Sequence, residues 1–303
     1  MTTTKSPKRV AMVALAAGKE AFRDHAHKFS PKKFTQPQLF ACLVLKEFER
    51  KDYRGVCQLL ADCSDLTAAI GLRTVPHFTT LHKAAGRLLR LGHVRRLIAV
   101  TVAQAHGRRR VAVPLAAADS SGFDAHHASR YFVWRTSDEK GKKGPTKRIS
   151  YKKFGKLMVV VNTVTHAILA AVPSVGPTPD IDQLDGVVAE LPTSVSIRHM
   201  VLDAGFDSAH NHRLLREGMG IRSTIPPKHG RPPKDPSTLP TDRYRRLMKT
   251  RFNAKAYRRR GQVESVFSMM KRNLGSALRG RSHWSRFRDM YLRVLTHNIM
   301  LVQ

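Results

Sequence analysis

Residues 111–123 read VAVPLAAADSSGF, and this stretch decides the fold of the second half of the chain. The apolar run 111–118 is too short for a typical helix and fits a buried strand. Asp119 ends the run and is followed by two serines and Gly122. Because ligand sites in α/β sheets form at the ends of strands, the stretch predicts a buried strand that carries Asp119 into a site.

Strand-like and helix-like segments follow this run in a mixed order. The pattern predicts a hairpin, a helix, a strand, a second helix, another strand and a long helix at 156–172, 180–191, 197–202, 207–217, 221–225 and 255–274. This order indicates an α/β fold in which a mixed sheet is flanked by helices. We therefore expect one α/β domain over 108–303.

Two segments interrupt the predicted elements of this domain. Residues 138–156 carry eight Lys or Arg against two acids, together with two glycines and a proline at 141–145, and we predict a mobile basic loop. Residues 226–240 contain six prolines, which predict an irregular insertion without regular structure.

The first half of the chain has a different pattern of apolar residues. From 36 to about 105, apolar residues recur every three and four positions, which predicts a small all-helical domain over 1–107. Residues 66–91 resemble a helix-turn-helix, with Lys83 and Arg87 on the polar side of the second helix. Those two cations either read a DNA groove or belong to an ordinary solvated face, and the pattern leaves both interpretations open.

The composition points to a polyanionic partner. The chain of 303 residues has 54 Lys and Arg against 22 Asp and Glu, a formal charge of +32. That excess favours nucleic acid first and a membrane surface second. No apolar run reaches the roughly 18 residues of a membrane span, and the three cysteines show no zinc-ligand spacing. We expect a cytoplasmic protein with reduced thiols.

A second aspartate repeats the setting of the first. Asp203 ends the predicted strand 197–202 and is followed by Ala204, Gly205 and Phe206. Adjacent strands would bring Asp119 and Asp203 together at one edge of the sheet. The alternative is that both are ordinary turn residues whose carboxylates bind nearby backbone amides.

A third acidic residue lies in the long predicted helix. Tyr257, Arg260, Glu264 and Lys271 have offsets of 0, 3, 7 and 14, which place them on one stripe about 60° wide. Between 251 and 290, eleven Lys or Arg accompany only two acids. An Arg260–Glu264 ion pair has the weaker i to i+4 orientation, so Glu264 is better explained as a metal ligand, and its basic neighbours as phosphate contacts.

These residues also carry a resemblance. The pattern Tyr257-x2-Arg260-x3-Glu264-x6-Lys271, with Asp119 in DSSGF and Asp203 in LDAGFDS, is similar to motifs of bacterial insertion-sequence transposases with an RNase H-like catalytic domain. The resemblance covers nearly the whole chain.

The resemblance implies a set of roles and partners. It implies that Asp119, Asp203 and Glu264 hold two Mg²⁺ ions, for which Mn²⁺ can substitute, and that the other three motif residues contact double-stranded DNA. It further implies a homodimer that binds the inverted repeats of its own element, cuts there and joins the ends to target DNA. Two other functions stay open, an RNase H-like nuclease or resolvase and a non-catalytic DNA-binding regulator.

Overall fold

The computed structural model describes residues 3–29, 31–125, 135–138, 146–149, 154–228 and 240–302. Its first part is helical, as predicted. Six helices, α1 to α6, span Pro7–Ala21, Gln36–Phe48, Tyr53–Asp62, Ser64–Ala69, Phe78–Leu88 and Leu91–His106.

Side-chain caps define where several of these helices begin. Ser6 accepts a hydrogen bond from the Arg9 amide at the start of α1, and Thr35 forms a reciprocal capping box with Gln38 at the start of α2. Each cap satisfies an amide that has no partner inside the helix. In the segment 66–91, which resembles a helix-turn-helix, the chain breaks between α4 and α5. Gly71 in this break has a φ of +65°, which favours glycine.

Ten strands, β1 to β10, span Val111–Val113, Ala116–Ala125, Arg135–Asp138, Thr146–Ile149, Phe154–Asn162, Ile168–Gly176, Val195–Ile197, His199–Leu202, Arg222–Thr224 and Ala277–Leu278. The predicted strand 111–118 is therefore two strands. Pro114 lies between them, and proline lacks the amide that a central strand needs. The hairpin predicted over 156–172 is β5 and β6.

β2 lies at the centre of the main sheet, whose order is β6-β5-β2-β8-β9. β5 pairs with β2 and β6 in antiparallel fashion, whereas β8 is parallel to both β2 and β9. β10 extends the parallel pairing along the last two residues of β2. The sheet is mixed and helices flank it, so the predicted α/β fold class is confirmed.

The segment predicted as a basic loop differs from the prediction where the structure describes it. β3 and β4 pair in antiparallel fashion, and β5 begins at Phe154, so Lys156 lies in a strand and is buried. Burial is tolerated because Asp180 neutralises the ammonium group, as shown below. Residues 139–145 and 150–153 of the predicted loop, and 229–239 of the Pro-rich insertion, lie outside the described residues.

Six further helices, α7 to α12, span Leu184–Ala189, Ala209–Arg213, Arg243–Thr250, Ala254–Tyr257, Gln262–Leu274 and His283–Leu301. The single helix predicted over 255–274 is wrong in one respect, because a 3₁₀ turn, Arg258–Gly261, separates α10 from α11. Gly261 disfavours an α-helix at this point, and the tighter turn commonly stands at helix ends.

One continuous hydrophobic core joins the helical part to the sheet. It contains side chains of α1 and α2 as well as β2, β5 and α12. α12 contacts α6 and α2 on one side and β6 on the other. In the described part of the chain, no helix combines the length and apolar character that a membrane span needs.

Candidate active site

Asp119 and Asp203 lie side by side on neighbouring parallel strands. Ala118 of β2 is in register with Leu202 of β8, so the next residue along each strand is an aspartate. One oxygen of each carboxylate accepts a hydrogen bond from the following amide, Ser120 N at 2.8 Å and Ala204 N at 2.7 Å. These local bonds match the turn interpretation, but each uses only the Oδ1 atom.

Arg260 links the first aspartate to the predicted third ligand. Its Nη1 lies 3.5 Å from Asp119 Oδ2, and its Nη2 lies 2.8 Å from Glu264 Oε1. The ion pair with Glu264, judged the poorer explanation from the sequence, is therefore present. The 3₁₀ turn places Arg260 next to β2. The same guanidinium therefore holds Glu264 near Asp119.

The electrostatics show how close the acidic groups lie. Burial raises the pKa of Asp119, and the carboxylates of Asp180 and Asp203 raise it further, whereas the Ser120 amide and Arg260 oppose this. Burial also raises the pKa of Tyr257, whose hydroxyl feels Arg260 and both strand-end aspartates. Tyr257, Arg260 and the aspartates thus form one electrostatic cluster.

Lys271 of α11 contacts β2 farther along the strand than Asp119. Its Nζ donates a hydrogen bond to Ser121 Oγ at 2.8 Å and is 5.1 Å from the centroid of the Phe123 ring. Side chains alternate along a strand, so Ser121 and Phe123 share a face of β2 with Asp119. Burial lowers the pKa of Lys271. The predicted stripe therefore follows β2 outward from the carboxylates.

The two predicted contacts in the helical part lie elsewhere. Lys83 is exposed and Arg87 is half-buried on α5. Both line a cleft of about 330 Å³ between α5 and the connection from α1 to α2, together with Asp24, His25 and Lys33. None of the contacts described above joins these cations to the carboxylates.

Sequence reasoning missed a second acid beside Asp119. Asp180 Oδ1 accepts a hydrogen bond from Ser120 Oγ at 2.6 Å and lies 2.7 Å from Lys156 Nζ. The pair is largely buried, with 11% of the Lys156 side chain and 33% of the Asp180 side chain exposed. The rarity of acids in this chain is the only signal in the sequence that marks Asp180, because its partner Lys156 is 24 positions away.

The donor set at this edge fits a hard divalent cation. Carboxylate oxygens are the ligands that Mg²⁺ prefers, and Asp119 Oδ2 has only the 3.5 Å contact with Arg260. Among the described residues, no three His, Cys, Asp or Glu side chains already stand together as a metal site. Glu264, with 60% of its side chain exposed, has room to turn toward the two aspartates.

A family model described as "Transposase DDE domain" matches residues 114–299. No curated protein matches the sequence.

Two solved structures resemble the chain loosely. A cryo-EM structure of a piggyBac transposase synaptic complex with hairpin DNA is 10% identical, with a TM-score of 0.46, and the match covers 99% of this chain and 75% of that one. A crystal structure of a pre-cleavage Mos1 transpososome is 12% identical, with a TM-score of 0.21, and the match covers 91% of this chain and 80% of that one.

Proposed function

The chain belongs to the transposase DDE domain family, and on that premise we propose that it binds the terminal inverted repeats of its own element, cuts DNA there and joins the ends to target DNA. The DDE domain itself implies an enzyme of DNA transposition. One observation carries the proposal: Arg260 contacts both Asp119 and Glu264, and Asp119 lies beside Asp203 where the parallel pairing of β2 with β8 ends. We expect two copies to hold the two ends, acting in the cytoplasm.

DDE transposases generally use a divalent metal, and Asp119, Asp203 and Glu264 are the residues that would hold Mg²⁺ or Mn²⁺ here. When bound, two such ions would activate the attacking oxygen and stabilise the leaving oxygen of the phosphodiester. The protein contributes the placement. Asp119 and Asp203 are fixed by their strands and their amide contacts, whereas Glu264 stands on a helix and is exposed.

Arg260 supplies the positive charge between the carboxylates in the present arrangement. Its forked guanidinium suits phosphate oxygens as well as carboxylates. Arg260 would bind the phosphate next to the scissile bond when the acids no longer need its charge. Lys271 would then bind a second phosphate, because it stands two strand positions beyond Asp119, beside Ser121. The Tyr257 hydroxyl, close to Arg260, would position the same strand of DNA.

Cleavage of DNA fragments that carry the ends flanking this gene tests the proposal. We compare the wild-type protein with Glu264→Gln in the presence of Mg²⁺. Asp185→Asn is the matched control, because it removes one charge from a surface pair with His210 that is more than half exposed on both sides. We expect cuts at the element ends for the wild type and the control, and none for Glu264→Gln, which still binds.

Each other result assigns a different function. Cuts without preference for the element ends would indicate a nuclease or resolvase. Equal activity of Glu264→Gln and wild type would remove Glu264 from the site. Tight end binding without cleavage by any of the three proteins would leave a DNA-binding regulator.

A further inference from the structure

A basic groove lies at the start of α12, apart from the three carboxylates. It has a volume of about 760 Å³ and runs between α12 and the helices α3 and α5. We call it the α12 groove. Its lining includes the charged or titratable side chains Lys46, Asp52, His82, Arg279, Arg281, Arg288 and Asp289.

Four of these charges are already engaged inside the protein. Lys46 pairs with Glu47 at 3.2 Å, and Asp52 accepts a hydrogen bond from the Gly55 amide at 2.6 Å. Arg279 donates through Nη2 to the Arg50 carbonyl, and Asp289 accepts hydrogen bonds from the amides of Arg279 and Gly280 at 3.1 and 2.8 Å. Asp289 therefore shapes the 279–282 turn. Burial raises its pKa, although Lys46 opposes this.

Arg281 and Arg288 have no such partner. Over the residues that the structure describes, neither side chain forms a salt bridge or a hydrogen bond. Arg281 is exposed and Arg288 is half-exposed, and both line the groove, as does His82 of α5. Two unpaired guanidinium groups in one groove of a chain with a charge of +32 favour a polyanionic occupant.

The groove continues the line of the candidate active site. β10 pairs with Asp124 and Ala125 at the end of β2, and the chain passes from β10 directly into the turn that carries Arg281. Between the two regions, Lys271 and Arg293 flank the Phe123 ring at 5.1 and 5.4 Å. Arg293 is buried and paired with Glu47, so Lys271 is the half-buried cation that lies along β2 between Arg260 and the groove.

The start of α12 adds a fixed positive pole. This helix has 19 residues, and Ser282 and Ser285 form a capping box at its first turn. Both serines line the groove. The amino end of a helix carries a partial positive charge that favours anions within the first turn.

We propose that the α12 groove binds the phosphodiester backbone of duplex DNA through Arg281 and Arg288, several nucleotides away from the bond that is cut. Only the choice of DNA as the polyanion rests on the proposed function. The groove holds the duplex and takes no part in the chemistry.

The salt dependence of binding tests the groove directly. The probe is a labelled duplex of about 40 base pairs, titrated by fluorescence anisotropy in chelator from about 50 to about 200 mM salt. The variant carries Arg281→Ala and Arg288→Ala. We expect the slope of log affinity against log salt to fall by about 1.8, since each lost phosphate contact changes it by about 0.9.

Two further variants separate the groove from general charge. Arg281→Lys with Arg288→Lys keeps both charges and should keep the slope. Arg198→Ala is the matched control, because Arg198 is an exposed arginine just before β8, at the opposite end of that strand from Asp203. Its slope should match that of the wild type. Thermal unfolding of every variant shows whether it folds, and single Arg→Gln changes replace an alanine variant that does not.

Three outcomes would overturn the proposal: an unchanged slope, an equal loss for Arg198→Ala, or a loss confined to an RNA hairpin of the same length. Because the titration contains no metal, it does not depend on cleavage. If the wild type does not cut DNA but the variant shows the expected change in slope, the groove proposal stands and the proposed reaction is wrong. If the wild type cuts DNA and the slope of the variant is unchanged, the reaction stands and the groove proposal is wrong.

Discussion

Asp119 and Asp207 both face an arginine, but only one of the two carboxylates is saturated. Asp207 is completely buried, and Arg245 contacts its two oxygens at 3.0 and 2.8 Å while the Lys228 amide donates at 2.8 Å. Asp119 is 22% exposed, and its Oδ2 has Arg260 at 3.5 Å. A saturated carboxylate stabilises the fold, whereas a loosely held one beside other acids is available for a cation.

Glu47 belongs with Asp207 in this comparison. Its two oxygens face Arg293 Nε at 2.9 Å and Lys46 Nζ at 3.2 Å, all deep between α2 and α12. Burial alone would raise the pKa of Glu47, but the two cations hold it below its usual value. In both halves of the molecule, a buried acid whose two oxygens are both paired thus stabilises the fold.

Asp119→Asn should have the largest effect of these variants. It should lower the cleavage activity without lowering the stability. We expect cleavage to fall about a thousandfold, because a bound cation supplies several kcal/mol of transition-state stabilisation and about 1.4 kcal/mol is tenfold. The melting temperature should hold or rise, since the change removes a desolvated charge that neighbouring acids disfavour. Single-turnover cleavage and thermal unfolding measure the two effects. Normal cleavage by this variant would place Asp119 with the scaffold acids.

Asp207→Asn should show the opposite behaviour. We expect the free energy of unfolding to fall by about 3 kcal/mol, because a buried ion pair loses one partner. Asp185→Asn, in an exposed pair with His210, should cost less than about 1 kcal/mol. Urea unfolding at neutral pH compares the two variants. Equal costs would mean that burial does not separate these carboxylates.

The surroundings of Asp207 also predict a pH dependence. His212 lies 3.8 Å from Asp207, and its ring bonds Ser223 Oγ at 2.8 Å. Burial lowers the pKa of His212 to about 4 from an ordinary 6.5. The unfolded chain therefore binds more protons between these values, so stability is complete above pH 6.5 and is lost as the pH falls toward 4.

His212→Asn tests this contribution, because asparagine can keep the Ser223 bond but does not titrate. We expect a flatter loss of stability between pH 6.5 and 4 than in the wild type, by about 1.4 kcal/mol for each pKa unit that His212 contributes. His199 and His297, whose pKa values burial also lowers to about 4, should supply the remaining slope. Parallel curves for variant and wild type would contradict the role of His212.

Lys271→Ala should give the smallest effect and sharpens the boundary of the site. We expect DNA binding to weaken and its salt slope to fall by about 0.9, as one lost phosphate contact implies. The Ser121 hydroxyl that Lys271 now contacts remains solvated, so stability should change little. Anisotropy titration in chelator measures the slope, with Arg198→Ala as control. A slope equal to that of the wild type would make Lys271 a structural partner of β2.

The sequence predicts features that depend on neighbouring residues in the chain. It does not predict features that depend on partners far away in the sequence. Period-2 and apolar runs located the β5–β6 hairpin and the end of β8 before Asp203. The predicted strand end at Asp119 is wrong, because β2 continues to Ala125 and Asp119 lies within it. Lys156 stands where the predicted basic loop 138–156 meets the predicted hairpin 156–172, and nothing local indicates that it is buried, because its partner Asp180 is 24 positions away. Only the sheet brings that pair together.

α12 was not predicted for a related reason. From Met290 to Leu301 nearly every residue is buried, so the helix has no polar face and no amphipathic stripe to detect. The stripe of Tyr257, Arg260, Glu264 and Lys271 was found because it does face solvent and β2. Its 3₁₀ interruption tightens the chain by a fraction of a turn, which spacing alone does not reveal.

The position of α12 limits how such a protein can exchange parts. One side of this helix completes the packing of α2 and α6, and the other lies on β6, so the helical half has no closed surface of its own. A chimera that took only residues 1–107 from another transposase would bring a helix bundle whose last member stays behind at the far end of the chain. A chimera with a new DNA specificity should therefore need the matching α12 as well as residues 1–107 of the donor protein.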